Sequence, residues 1–195
     1  MLLLPPCLFF MFEDDLSSVV VSELDLRERV TSLGAEISEA YASIPELTVL
    51  CVTNGAVVFA ADLIRSIHLS LRLDCISVTN YHCDEAGFTP QELAGSLRLD
   101  IQGRHVLLID DVVDTGRTLR GIVSALEGLK PRSLKTCVLL SKEGRREVGE
   151  DADFIGFTIP DLFVVGYGLD FAERYRNLSC VGVLRPDLQN PPAWQ

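Results

Sequence analysis

The residues with the most chemical potential lie together, in Asp110-Asp111-Val112-Val113-Asp114-Thr115-Gly116-Arg117-Thr118. Two adjacent carboxylates follow a dense apolar run at residues 105–109, and Asp114 lies just beyond them. Residues 114–118 then read as a turn that begins a helix. Gly116 permits positive φ and close backbone approach there. Backbone N–H groups at a helix start attract anions, and the Thr115 and Thr118 hydroxyls add donors, so the turn can hold a monophosphate. Asp110 and Asp111 can accept hydrogen bonds from a vicinal diol such as ribose. The stretch is not a Walker A loop, because GxxxxGKS/T is absent. A strand followed by a capped helix would explain the pattern without function. Three clustered negative charges speak against that, since they are costly unless a cation or ligand offsets them.

The surrounding pattern must deliver those residues to one place. Ser22-Glu23-Leu24-Asp25 reads as the start of a helix, with Leu26, Val30, Leu33, Ile37 and Tyr41 on one apolar face. Residues 48–52 read as a β-branched strand, followed by a helical pattern from Gly55 through Ile64. Residues 72–79, 105–109, 136–140, 163–167 and 179–184 read as further strands, and Leu119, Ile122, Val123 and Leu126 mark a helix stopped by Gly128 and Pro131. Alternating Leu97, Leu99 and Ile101 suggest a short strand inside an otherwise irregular stretch. Helices and strands alternate, and several strands are apolar throughout. The predicted fold class is therefore α/β, a central parallel sheet with helices on both faces. Ligands in such sheets bind beyond the carboxyl ends of the strands. Thr53-Asn54, the 110–118 stretch and Lys142 sit at three such ends and should converge on one cleft.

Composition narrows the function. A length of 195 residues suits one domain, and 48% hydrophobic with 23% charged residues is the balance of a globular chain. A net charge of −11 argues against broad binding to nucleic acid or an anionic membrane. The six cysteines are scattered without CxxC or zinc-ligand spacing, which points to a reducing, cytoplasmic compartment. Residues 1–12 are apolar but too short to span a bilayer, and they lack the basic start of a secretory signal. The expectation is a poorly ordered extension over residues 1–15 and a single domain over 16–195, with a mobile loop near 82–103.

With those residues in view, Val106 to Leu119 (VLLIDDVVDTGRTL) resembles the phosphoribosyl-pyrophosphate motif of type I phosphoribosyltransferases. The resemblance runs from about residue 17 to 188 and is nearest to the bacterial-type hypoxanthine/guanine enzymes, especially over residues 173–187 (ERYRNLSCVGVLRPD). It implies a parallel-sheet core with a small hood. It also implies transfer of phosphoribose from phosphoribosyl pyrophosphate to N9 of a 6-oxopurine, with Mg²⁺ as cofactor and a homodimer or homotetramer as the assembly.

The same resemblance assigns roles. Asp114 matches the general base or acid at purine N7. Asp110 and Asp111 match the acids that hold the ribose hydroxyls, with an indirect part in metal binding. Residues 114–118 (Asp114, Thr115, Gly116, Arg117, Thr118) match the 5′-phosphate cradle. Lys142 matches the lysine that donates to the 6-oxo group, and Phe163 and Val164 match the purine-stacking segment. Asp170 matches an acid at the purine site that helps hold Mg²⁺, often through water. Arg176 matches a pyrophosphate-binding arginine, and Arg146 the arginine that follows the purine lysine. Thr53-Asn54-Gly55 matches the pyrophosphate loop, which in the family contains a non-proline cis peptide. Asn54 stands where many members carry a base, so Arg176 and Mg²⁺ are expected to carry more of the pyrophosphate. Asn80-Tyr81 fall at the base of the family's mobile loop.

Two other readings are weighed against this one. A regulator that binds phosphoribosyl pyrophosphate and RNA, of the attenuator type, would need a basic face that this chain lacks. A xanthine-preferring relative would share every motif above. Lys142 favours a 6-oxo acceptor over a 6-amino donor, because an ammonium only donates.

Overall fold

The structure, a computed structural model, describes residues 13–77, 89–145, 147–148 and 151–189. The chain enters through strand β1 (Leu16–Val21) and helix α1 (Glu23–Ala40). Ser22 starts α1 as its spacing predicts, its Oγ accepting the Asp25 backbone N–H at 3.2 Å. Then come β2 (Leu47–Thr53), α2 (Val57–Ser66), β3 (Leu71–Ser77), α3 (Pro90–Ser96), β4 (His105–Val113) and α4 (Arg117–Gly128). The chain continues through β5 (Ser133–Lys142), β6 (Phe154–Ile159), β7 (Val164–Val165) and β8 (Val181–Leu184).

Five strands form one parallel sheet in the order β3-β2-β4-β5-β6. Alternation along β4 sends Leu107 and Ile109 into the core under α1 and α2, while Val106 and Leu108 enter the core under α3 and α4. Both faces are thus dry, which is why the central strands read as continuous apolar runs. A second, antiparallel sheet, β1-β8-β7, forms a small hood. The hood is tied to the sheet domain by Tyr167, whose hydroxyl donates to Asp62 of α2 at 2.7 Å.

Four features depart from the sequence reading. Strand β4 does not end at Ile109: it pairs with β5 as far as Val113 and Ser141, so Asp110 and Asp111 are strand residues rather than loop residues. Strand β6 had no clear signature, because Gly156 interrupts its apolar pattern and its residues are only partly buried at this sheet edge. The segment at 97–101 is not a strand. Its N–H groups at Arg98 and Leu99 donate to the buried Asp74 carboxylate at 2.6 and 2.9 Å instead of to a ladder. Ahead of it lies α3, started by a reciprocal Thr89–Glu92 cap with Pro90 at the first position. Finally, the strand expected at 163–167 shortens to Val164–Val165.

Asp14 and Asp15, grouped with the extension, hold fixed contacts. The Asp14 carbonyl accepts from Arg185 at 3.1 Å, and the Asp15 carboxylate accepts from the Tyr175 hydroxyl at 3.0 Å. Residues 1–12, Asn80-Tyr81, Arg146 and the first part of the expected loop, 82–88, lie outside the described residues.

Candidate active site

The carboxyl end of β4 builds the site. Asp110 is almost fully buried, and its Oδ1 accepts the Asp111 N–H at 3.0 Å. Burial, with the neighbouring Asp111 charge, pushes its carboxyl well above the ordinary carboxylate range. Burial also raises Asp111, against the pull of the Val112 N–H and the more distant Arg176 guanidinium. Two desolvated acids side by side resist full ionisation, so the pair is poised to gain from a donor or a developing cation.

Asp111 reaches the neighbouring strand end. A Cβ on Gly55 would fall 1.8 Å from Asp111 Oδ2, so only glycine lets the carboxylate lie against this loop. A Cβ on Gly168 would in turn meet the Gly55 carbonyl oxygen at 2.2 Å. The Thr53-Asn54 peptide is cis, as the resemblance implied. Arg176 closes this pole. It donates to the Gly168 carbonyl at 2.8 Å and to Asp170 Oδ1 at 2.8 Å, while Asp170 Oδ2 accepts the Glu173 N–H at 2.9 Å. Asp111, Gly55, Asp170 and Arg176, scattered over 122 positions (176 − 55 + 1), therefore meet at one pole.

The second pole lies around Asp114. Its Oδ1 accepts from Arg145 Nε at 2.8 Å, and its Oδ2 faces Lys142 Nζ at 3.6 Å. The Arg145 hydrogen bond first, with Lys142 as a smaller contributor, holds this carboxyl below its usual range. Lys142, at the end of β5 and mostly buried, also faces Asp161 at 3.5 Å. Asp161 precedes Phe163 by two residues, which brings the start of the hood to this pole. Phe163 itself remains 43% exposed, an unusual state for a large aromatic, and packs edge-on against Phe171 at 5.4 Å. Val164 is buried in the hood sheet.

Just past Asp114 the backbone turns. Gly116 adopts φ +84°, the left-handed conformation that L side chains disfavour, and α4 starts directly after it. Thr115 Oγ1 accepts the Arg117 N–H at 3.5 Å, and Thr118 lies in the first turn of the helix. The turn is braced from outside: the Thr115 carbonyl accepts the Glu147 N–H at 3.1 Å, and Arg117 pairs with Glu147 at 2.5 Å.

The sequence reading missed Arg145, Asp161 and Glu147. Arg146, which it named, lies outside the described residues, and no spacing rule singles out Arg145 beside it. Asp161 gave no signal, because its partners Lys142 and Arg145 are 19 and 16 positions away (161 − 142 and 161 − 145).

A parallel sheet with a hood and two acids at the end of its central strand defines a type I phosphoribosyltransferase fold. Comparison with known proteins agrees. A family model for the phosphoribosyl transferase domain matches residues 23–172, and the chain belongs to that family. It is 39% identical over 176 residues to the hypoxanthine-guanine phosphoribosyltransferase of Bacillus subtilis, covering 90% of this chain and 97% of that protein. It is 38% identical to the bifunctional protein TilS/HprT of Listeria innocua over 90% of this chain, but spans only 27% of that longer protein. Among solved structures, a hypoxanthine phosphoribosyltransferase from Staphylococcus aureus superposes with a TM-score of 0.84 at 35% identity, covering 94% of this chain and 99% of the other.

Proposed function

We propose that this protein transfers 5-phosphoribose from phosphoribosyl pyrophosphate to N9 of hypoxanthine or guanine, giving IMP or GMP and pyrophosphate. One observation carries the reading: Lys142 and Asp114, from different strand ends, face each other across 3.6 Å beside a turn suited to a monophosphate. An ammonium donor and a carboxylate acceptor that close match O6 and N7–H of a 6-oxopurine.

The roles follow from position. Residues 114–118 receive the 5′-phosphate on backbone N–H groups and the hydroxyls of Thr115 and Thr118. Asp110 and Asp111 accept from the ribose hydroxyls. Their partial negative charge stabilises the cationic sugar formed as the C1′–oxygen bond to pyrophosphate breaks. N9 then bonds to C1′, and the N7 proton passes to Asp114. Lys142 donates to O6, and Phe163 and Val164 cover the purine ring. The Thr53-Asn54-Gly55 loop and Arg176 receive pyrophosphate, with Arg176 supplying the charge that Asn54 lacks.

Asp170 offers carboxylate oxygens beside Arg176, and no group of three or more potential metal ligands occurs among the described residues. That donor chemistry fits Mg²⁺ carried chiefly by substrate oxygens and water. Asp170 would hold it, with Asp110 and Asp111 acting through the ribose, and the ion would supply charge to the departing pyrophosphate.

Kinship supports a homodimer or homotetramer, to be tested by light scattering. The unpaired Cys51 and Cys137 thiols in the core support a reducing, cytoplasmic setting. Among the described residues no helix is long and apolar enough to cross a membrane. The test is an assay with phosphoribosyl pyrophosphate, Mg²⁺ and each of hypoxanthine, guanine, xanthine and adenine. Turnover should favour the first two; turnover of adenine alone would remove Lys142 from its role.

A further inference from the structure

We propose that Arg145 is a gate on the purine pocket, occupying Asp114 in the free enzyme and moving onto Asp161 when a purine arrives. The proposal rests on the functional reading above. It begins from the fact that both oxygens of Asp114 already have cationic partners, Arg145 at 2.8 Å and Lys142 at 3.6 Å. A purine N7–H needs one of them. Lys142 is largely enclosed at the end of a sheet strand, whereas Arg145 is about half exposed and lies just past the turn residue Gly144. Arg145 is therefore the partner free to leave.

A destination is already in place. Arg145 Nη1 stands 3.6 Å from Asp161 Oδ2, so the guanidinium can release Asp114 and keep an anion. Two backbone bonds pin the segment on either side: Glu143 N–H donates to the Ile159 carbonyl at 2.8 Å, and Glu147 N–H to the Thr115 carbonyl at 3.1 Å. Glu143 and Glu147, the residues two before and two after Arg145, are thus both held. The charges around Asp114 are thus Lys142 and Arg145 at close range, Asp161 behind both, and the Arg117–Glu147 pair beside the turn. Removing Arg145 leaves Lys142 to hold the carboxylate alone, so Asp114 binds its proton more readily.

The test uses Arg145→Gln and Arg145→Lys in the full chain. The Asp114 carboxyl is titrated by carbon-detected NMR without ligand, and steady-state rates are measured across pH. In Arg145→Gln the Asp114 midpoint should rise and the acid limb of kcat/KM should follow it upward. The purine KM should fall roughly two- to fivefold, the range of a half-exposed ion pair, with kcat and the KM for phosphoribosyl pyrophosphate held within about twofold. Arg145→Lys should stay nearer the parent protein. An unmoved midpoint, or a purine KM that is unchanged or higher, overturns the gate. If the parent protein makes no nucleotide from any 6-oxopurine while the midpoint still moves, the functional reading falls and the gate falls with it.

Discussion

On the proposed function Asp114 and Lys142 serve different halves of the reaction, and single substitutions should separate them. Asp114→Asn keeps the shape of the side chain and one acceptor but cannot take the N7 proton. It should lower kcat by about 10²–10⁴-fold while leaving the thermal midpoint nearly unchanged. Lys142→Ala removes the donor to O6 and should raise the purine KM far more than that for phosphoribosyl pyrophosphate; equal losses in a two-substrate assay would contradict its role. The Asp110–Asp111 pair should show in stability rather than affinity alone. Burial raises Asp110 above its unfolded value of 3.8, so the native state binds more protons than the unfolded state. Stability therefore falls as pH rises from that value towards the higher folded one. Asp110→Asn should raise the thermal midpoint of the ligand-free protein at neutral pH by a few degrees, at about 2–4 °C per kcal/mol for a chain of this size. The gain should vanish on acidification, and nucleotide synthesis should fall in the same variant.

The elements that carry these residues differ in how plainly they read from sequence. The cleft at the ends of β2, β4 and β5 was legible, because buried strands announce themselves as apolar runs and polar residues mark where they emerge. The Gly116 turn was legible too, since its conformation needs glycine locally. The extension of β4 through Asp110 and Asp111 was not: consecutive acids look like a loop until the pairing with β5 is seen. The 97–101 segment misled for a related reason. Its alternation suits a strand, but its donors are claimed by Asp74, a residue 24 positions earlier in contact with Arg98. Burial alone would raise Asp74, yet the N–H groups of Leu99, Cys75 and Arg98 and the Arg98 guanidinium together hold its carboxyl below the usual range. Its contribution to stability is present above pH 3.8 and is lost as pH falls through the lower folded value. Asp74→Ala would leave those donors buried without an acceptor and should cost about 2–4 kcal/mol in urea unfolding. Faster amide exchange at Arg98 and Leu99 should accompany it; protection at parent levels would show that the segment is held by other contacts.

At the scale of the whole molecule, the excess of negative charge and the choice of an anionic substrate pull in opposite directions. On the proposed function, a chain of net charge −11 concentrates its attraction for phosphates in the cleft, on backbone dipoles and Arg176, and a bound Mg²⁺ would add charge there. The ligand should then act as the missing counter-charge. GMP, or phosphoribosyl pyrophosphate with Mg²⁺, should stabilise the fold by about 2.7 kcal/mol at a hundredfold excess over Kd, read as a rise in thermal midpoint. The measurement that bears most directly on the account is formation of nucleotide by the purified protein. With phosphoribosyl pyrophosphate, Mg²⁺ and hypoxanthine or guanine, IMP or GMP and pyrophosphate should appear in equal amounts, and the Asp114→Asn variant should form almost none. A folded protein that yields no nucleotide from hypoxanthine, guanine or xanthine, or an Asp114→Asn variant as fast as its parent, would contradict it.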